Sequence, residues 1–405
     1  MGEATGIVHN IGHDQINVHN SFDSIYAFRY ERVIEDGNHF NKYPLVYIKQ
    51  ENVIEDGVEY EYYWLCATQL QGYYAPHVFR KNDGSLRDYI LVGIYEAFRD
   101  SDGKLRSIPN VLPTVSRSAT KFLNDARLND GLGVDSEYTV ADIMEQHYLN
   151  HRWLIRLGTK NVQSKLAGFT SGRRNATDLI LEDGTSVNHV VVSNTIGAEY
   201  RIGQTIKVGD GQDGTQALVG RLITNILVDN PTSGQTSIYF DGEPADVVSG
   251  QIIGNRAYIT GATDGIIASD GYLLENNGKY PCVIEGIENP FGNVWKNIAG
   301  IKLLGDDIYV ANDLRDYNWL ANVDNFVKLS YKVPQASGYA KEMGFDPKHP
   351  YAQITKAVGG GSSTYYADYF YQNYVADAYR TVFVGGNWYF GSFAGLWYWS
   401  VGDGL

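Results

Sequence analysis

The chain has 405 residues, of which 43% are hydrophobic and 20% are charged, and its net charge is −14 at pH 7. This composition is typical of a globular protein of two or three domains with a large core. The negative charge argues against a nucleic-acid partner, whose phosphates would be repelled, and no apolar stretch reaches the ~18 residues that a membrane helix needs.

The first nine residues contain neither a basic region nor an apolar run, so no secretory signal is expected and synthesis in a cytosol without an export tag is predicted. Cys66 and Cys282 lie too far apart in sequence for a CxxC metal site. We expect two buried thiols, and one long-range disulfide stays open as an alternative.

Tight turns punctuate the whole chain. Twelve Asp-Gly dipeptides occur, and Asp-Gly favours the positive φ values of hairpin turns. The sequence VIEDG occurs at residues 33–37 and again at 53–57, between runs of alternating polarity. These runs predict neighbouring hairpins, and chance reuse of a good turn explains the repeat equally well.

Two segments have helical periodicity. In residues 114–128, Val115, Ala119, Phe122 and Ala126 fall on one helical face, and the second helix is predicted over 139–153 with Thr139 as its cap. Residues 171–262 are instead rich in Gly, Thr, Asp and Val, which predicts a small inserted β domain. Residues 338–350 are predicted to be an irregular loop.

The C-terminus is strongly aromatic, with 15 aromatic residues among the 35 positions from Tyr365 to Trp399. Tyrosine mixed with serine, glycine and asparagine is the composition of a binding surface rather than of a core. The alternative is a tyrosine-rich core or an oligomer interface. Four residues are expected in the core: Phe383, Trp388, Trp397 and Trp399.

Candidate catalytic and metal-binding patterns are weak. His147 and His151 stand four residues apart near Glu145, but without a third ligand at a recognisable spacing we predict no metal site and no cofactor. No nucleophile elbow, zinc-protease motif or phosphate-binding loop is present in the sequence. We therefore predict that the protein is not an enzyme.

Five separated stretches resemble one family, the C-type-lectin-fold receptor-binding proteins of tailed phages, which include the major tropism determinants that diversity-generating retroelements target. The matching stretches are residues 72–79 (GYYAPHVF), 89–96 (YILVGIYE), 160–164 (KNVQS), 284–296 (IEGIENPFGNVWK) and 385–399 (GGNWYFGSFAGLWYW).

The resemblance implies an α+β C-type-lectin-like fold with two helices and a twisted antiparallel sheet, interrupted by the inserted all-β domain. The implied domains are residues 1–40 for virion attachment or oligomerisation, 41–170 for the first part of the lectin-like domain, 171–262 for the insertion and 263–405 for the second part with the ligand face. Trp388, Leu396 and Trp397 would be fixed positions of that face.

The family also varies its ligand contacts through adenine-directed codon changes, which favour Tyr, Asn, Ser, Asp and Phe. The residues that fit this pattern, and that we predict to bind the ligand, are Tyr365, Tyr366, Asp368, Tyr369, Phe370, Tyr371, Asn373, Tyr389, Phe390, Ser392, Phe393, Tyr398 and Ser400.

The resemblance therefore implies a non-enzymatic phage adhesin on the virion tail or capsid surface, made in the host cytoplasm. Its expected partners are a bacterial surface protein or glycan, other virion proteins and two further copies in a homotrimer, with no nucleic acid and no membrane insertion. The alternative is a purely structural head-fibre or tail-decoration protein whose aromatic clusters form subunit interfaces.

Overall fold

The computed structural model describes residues 20–212, 216–228, 233–266 and 268–404. Residues 1–19, nearly half of the predicted attachment segment at 1–40, lie outside this range. Within the described residues, no helix combines the length and the apolar character needed to cross a membrane.

The first part of the chain forms a three-stranded sheet, two hairpins and the longest helix. Its elements are, in chain order, α1 (Asn20–Asp23), β1 (Glu31–Glu35), β2 (Asn38–Pro44), β3 (Tyr47–Glu55), β4 (Val58–Cys66), β5 (Tyr89–Gly93), β6 (Phe98–Arg99), β7 (Leu105–Arg106), α2 (Ala119–Arg127) and α3 (Ile143–Leu157). The sheet has the order β1-β2-β5, so the predicted boundary at residue 40 falls inside β2.

The prediction of two Asp-Gly hairpins is confirmed. Asp36 and Gly37 have φ values of 50° and 77° between β1 and β2, and Asp56 and Gly57 have 51° and 78° between β3 and β4. Both residues of each turn therefore lie in the left-handed region that this turn type requires.

The middle of the chain forms a five-stranded antiparallel sheet, in the order β14-β10-β11-β12-β9, together with the small β13-β8 pair. The elements are β8 (Gly184–Val187), β9 (His189–Ser193), α4 (Asn194–Gly197), β10 (Gln204–Gly209), β11 (Gln216–Val228), β12 (Gln235–Phe240), β13 (Ala245–Val247) and β14 (Ile252–Tyr258). A separate core cluster, running from Ile180 to Ile253, packs against this sheet.

The last part of the chain builds a six-stranded sheet (β18-β26-β27-β24-β22-β23), a four-stranded sheet (β21-β20-β19-β25) and a small β15-β16-β17 sheet. The strands are β15 (Gly271–Tyr272), β16 (Cys282–Ile284), β17 (Ile287–Glu288), β18 (Lys296–Asn297), β19 (Ile301–Leu304), β20 (Asp307–Val310), β21 (Val327–Lys332), β22 (Gly338–Met343), β23 (Thr355–Val358), β24 (Tyr369–Tyr371), β25 (Tyr379–Arg380), β26 (Phe383–Gly385) and β27 (Gly395–Ser400). The predicted loop at 338–350 is therefore wrong for its first half, which is β22.

The prediction of an α+β, C-type-lectin-like fold is wrong. The protein is mostly β, with 37% strand and 13% helix, and its strands are divided among many small sheets. Periodicity located the two main helices, but these span only 9 and 15 residues and do not set the fold class. The fold class is determined by strand pairing, which joins segments far apart in sequence, such as β2 and β5.

The helix boundaries also differ from the prediction. Helix α3 begins after Asp142, whose carboxylate accepts hydrogen bonds from the Met144 and Glu145 amides, so Asp142 is the cap in place of Thr139. Helix α2 begins only at Ala119, because the residues before it are extended and Ser116 has a φ of 57°.

Candidate functional site

The aromatic C-terminus is divided between the two faces of the six-stranded sheet. Strands β24 and β27 pair in parallel, with Phe370 beside Trp399. Successive side chains of a strand point to opposite faces, so Phe370 and Trp399 enter the core while Tyr369 and Tyr398 lie on the other face.

On that outer face the accessible rings form two groups of three, which meet at Tyr398. We define the aromatic patch as the accessible side chains of Trp295, Tyr339, Tyr369, Tyr389, Phe390 and Phe393. Each of these rings is half-buried except that of Phe393, which is 39% exposed. Their ring centroids lie close together, at 4.5 Å for Tyr369–Phe393, 5.6 Å for Tyr339–Phe393, 5.1 Å for Trp295–Phe390 and 5.0 Å for Tyr389–Phe390.

Tyr398 connects the two halves of the patch from below. Its ring centroid lies 6.0 Å from that of Tyr369, 5.5 Å from Phe390 and 4.8 Å from Trp295. The side chain is buried, and burial raises the pKa of its hydroxyl. Tyr398 therefore supports the patch from beneath and is not one of its contacts.

A loop formed by residues 386–394 carries half of the patch, and two distant segments hold it. Gln163 donates its side-chain amide to the carbonyls of Gly391 and Ala394, and the Trp388 amide donates to the carbonyl of Asn293. Gly386 starts the loop with a φ of 76°, and a Cβ there would lie 2.9 Å from the Ala394 side chain. A glycine is required at this turn.

Burial removes five predicted contact residues from the candidate binding set. These are Tyr366, Asp368, Phe370, Tyr398 and Ser400, all at most 5% exposed. Tyr366 packs its ring against Trp397 at 5.1 Å, and the Asp368 carboxylate accepts a hydrogen bond from the Trp397 amide. Burial raises the pKa of Asp368 well above its usual value.

The other eight predicted residues are at least partly accessible. Tyr369, Tyr389, Phe390 and Phe393 belong to the patch, and Ser392 joins its edge through a hydroxyl contact of 3.2 Å with Tyr339. Three more are exposed but make no ring contact with the patch among the described residues: Tyr365, Tyr371 and Asn373.

Of the four residues predicted in the core, Trp397 and Trp399 are buried, which confirms the prediction, whereas Phe383 and Trp388 are half-buried at the border of the patch. Sequence reasoning missed two patch residues. Trp295 lies outside the aromatic C-terminus, and Tyr339 lies in the segment predicted as a loop, where the sequence GYAKEM has no alternating pattern that would reveal a strand.

The described part of the chain offers no metal centre as an alternative candidate site. Among the described residues, no three His, Cys, Asp or Glu side chains are grouped so that they could hold a metal ion. Both cysteines are free; Cys282 is buried and Cys66 is half-buried, so the expectation of two buried thiols holds for one. Burial raises the pKa of Cys282 to about 12, which makes it a poor nucleophile.

Apart from the patch, the protein has a cleft of about 510 Å³ between β5, the start of α3 and residues 294–297. Glu145 lies in its wall and is half-buried. Burial, together with the charge of nearby Asp142, raises the pKa of Glu145 to about 8.

This shift predicts a pH-dependent effect of Glu145→Gln. The folded carboxyl has a pKa of about 8 against an ordinary 4.5, so between these pH values the folded state binds more protons. Its stabilising contribution is complete below pH 4.5 and is lost as the pH rises through about 8. Glutamine mimics the protonated acid, so the variant should be more stable than wild type at pH ~9, by roughly 1–2 kcal/mol after screening.

Urea denaturation at pH ~5 and ~9 measures this difference. Glu342→Gln, which alters an exposed carboxylate paired with Lys356, is the matched control and should have the same small effect at both pH values. An unchanged stability difference between wild type and Glu145→Gln across this range would contradict the raised pKa.

No protein-family model matches this chain, and a search of curated proteins found no match.

Proposed function

We propose that this protein is a non-enzymatic adhesin of a bacteriophage particle that docks onto a bacterial surface protein or glycan through the aromatic patch. The observation that supports this proposal is the patch itself: six partly accessible rings in two groups of three, both of which contact buried Tyr398. Clustered aromatic side chains that remain accessible at a protein surface often mark an interaction site.

The patch has the chemistry of a contact surface. Tyrosine and tryptophan offer large rigid areas at low conformational cost, and a hydroxyl or indole N–H supplies a polar contact at the ring edge. The contact set proposed is Trp295, Tyr339, Tyr369, Tyr389, Phe390, Ser392 and Phe393. If several copies are presented on one particle, modest affinity at each patch becomes strong attachment.

The phage setting is supported by the sequence stretches that resemble tropism determinants. Two of them meet at the patch: Gln163 of the stretch 160–164 and Asn293 of the stretch 284–296 both hold the loop 386–394. Presentation as a homotrimer and attachment through the N-terminal segment belong to the same proposal.

Cysteine labelling distinguishes a patch that is accessible in the oligomer from a patch that a second copy of the chain covers. In a Cys66→Ser background, Phe393→Cys places a single accessible thiol on the patch, because Cys282 is buried. In the native oligomer we expect rapid, complete labelling with a maleimide, and Tyr26→Cys, at a site 55% exposed, should react at a similar rate.

Protection of the thiol introduced by Phe393→Cys in the oligomer, with full reactivity after dissociation, would contradict the proposal. It would favour the alternative, a structural head-fibre or tail-decoration protein whose aromatic rings form subunit interfaces.

A further inference from the structure

The middle of the chain, residues 171–262, lies against one end of the aromatic patch. The Gly172 amide donates a hydrogen bond to the Trp388 carbonyl at 2.5 Å. The guanidinium carbon of Arg174 lies 4.7 Å from the ring centroid of Tyr389, and that of Arg256, on β14, lies 5.8 Å from the ring centroid of Trp388. This segment therefore places two cations at the border of the patch.

The Arg256 guanidinium is accessible to an outside anion. The residue is half-buried, and its nitrogen atoms are not among the enclosed polar atoms. Among the described residues, Arg256 makes neither a hydrogen bond nor an ion pair through its side chain. A guanidinium within ~6 Å of a ring face keeps its in-plane N–H groups, which fit a carboxylate or a phosphate with two parallel hydrogen bonds.

Carboxylates in this part of the molecule have other cationic partners. The Asp178 carboxylate accepts hydrogen bonds from the Arg173 guanidinium at 2.6 and 2.8 Å, and Glu199 pairs with Lys279 at 2.8 Å. Neither carboxylate is therefore free to neutralise Arg256.

Another cation lies beside the second group of rings. Lys341 follows Tyr339 by two residues on β22, and Ala340 between them is buried, so Lys341 and Tyr339 share the outer face of the sheet. Lys341 is exposed and makes no ion pair within the described ranges. The neighbouring carboxylate of Glu342 pairs with Lys356 at 2.7 Å. Each group of rings therefore has a cation next to it.

From these contacts we infer that the patch binds an acidic glycan, and that residues 171–262 complete its binding site by contributing Arg256 as an anion contact. The inference rests on the proposed adhesin function and adds to it the chemical class of the ligand and a role for the middle of the chain.

An acidic polysaccharide matches both features of this surface. The apolar faces of sugar rings pack against aromatic side chains, and the cations beside the two groups of rings fit a chain that repeats its negative charge. The net charge of −14 does not prevent such binding, because exposed charges more than ~8 Å away are largely screened at physiological salt.

Replacing Arg256 with glutamine tests the anion contact. Arg256→Gln should weaken attachment of the full chain to bacterial envelopes about three- to tenfold, because a charge-assisted hydrogen bond is lost. Lys121→Gln is the matched control: Lys121 is an exposed residue of α2, and its replacement changes the net charge by the same amount. Attachment of this control should stay within about twofold of wild type. Equal losses in the two variants would reflect net charge alone and overturn the inference.

Treated envelopes identify the ligand in the same assay. Protease digestion should leave attachment unchanged. Amidation of carboxylates, or removal of phosphates with hydrofluoric acid, should lower wild-type attachment to that of Arg256→Gln on untreated envelopes, and the effective treatment tells which anion the glycan carries. Loss of attachment after protease digestion would identify an acidic protein, and full attachment after both chemical treatments would identify a neutral glycan. Either result would contradict the inference.

The double variant Tyr369→Ala with Phe393→Ala separates a failure of this inference from a failure of the proposed function. Loss of attachment in the double variant but not in Arg256→Gln would overturn the anion contact and leave the patch as the adhesive surface. Unchanged attachment in both would overturn both proposals, and loss in Arg256→Gln alone would overturn the shared site. Thermal melts of each variant confirm that it is folded.

Discussion

Replacing Arg152 with alanine is expected to lower the free energy of unfolding by about 3–5 kcal/mol. The guanidinium is fully buried and donates to both oxygens of the Glu285 carboxylate, at 2.9 and 2.7 Å. It also donates to the Ala27 carbonyl at 2.7 Å and to the Tyr148 hydroxyl at 3.1 Å. Removing it leaves the buried carboxylate of Glu285 without its closest counter-charge.

Urea denaturation of three variants tests this assignment. Arg315→Ala, which breaks an exposed pair with Asp313, should cost ~1 kcal/mol or less. The double variant Arg152→Met with Glu285→Leu should lose less stability than Arg152→Ala, because both buried charges are removed together. A loss below ~1 kcal/mol in Arg152→Ala would contradict the role of this pair in joining α3 to the small sheet that contains β16 and β17.

The second large effect is expected from the aromatic patch. In the double variant Tyr369→Ala with Phe393→Ala, attachment to bacterial cells should weaken about a hundredfold or more, because central aromatic contacts contribute ~2 kcal/mol or more each. Both rings lie at the surface of the patch, 4.5 Å apart, so their removal leaves the core clusters intact. Equilibrium binding to a panel of bacterial strains measures the change.

Tyr371→Ala is the matched control for this double variant. Tyr371 is an equally aromatic, exposed residue of β24, but its ring makes no contact with the patch among the described residues. Attachment should stay within about threefold of wild type. Equal losses in Tyr371→Ala and in the double variant would show that the patch is not the contact surface.

Local rules predicted local structure well. Asp-Gly at residues 36–37 and 56–57 forms the two hairpin turns, because the φ preferences of these residues act without help from distant segments. Helix α3 was found by its periodicity, and its start was misplaced by a few residues because Thr139 and Asp142 are both good caps.

The predicted fold class is wrong because the fold class depends on contacts between segments that are distant in sequence. Strand β24 pairs with β27 in parallel and with β22 in antiparallel orientation, and no short-range pattern specifies either partner. The two short helices are visible in the periodicity, but they do not determine the class of a chain that is mostly strand.

The sequence predicted the amino-acid composition of the candidate site but not which residues belong to it. The aromatic composition included Tyr369, Tyr389, Phe390 and Phe393, which are at least partly accessible on the outer face, but it could not separate them from buried Tyr366 and Phe370. Alternation along β24 separates Tyr369 from Phe370 once the strand is known. Tyr366 precedes that strand, and its burial depends on the packing of Trp397, which only the folded structure defines.

The most direct test of the central proposal is hydroxyl-radical footprinting of the assembled protein, alone and bound to cell envelopes of a strain to which it attaches. The patch proposal predicts that Tyr339, Tyr369 and Phe393 are oxidised in the free assembly and protected on the envelopes, while Tyr26 and Tyr371 react equally in both samples. Protection of the three patch residues before envelopes are added, or unchanged oxidation after binding, would contradict it.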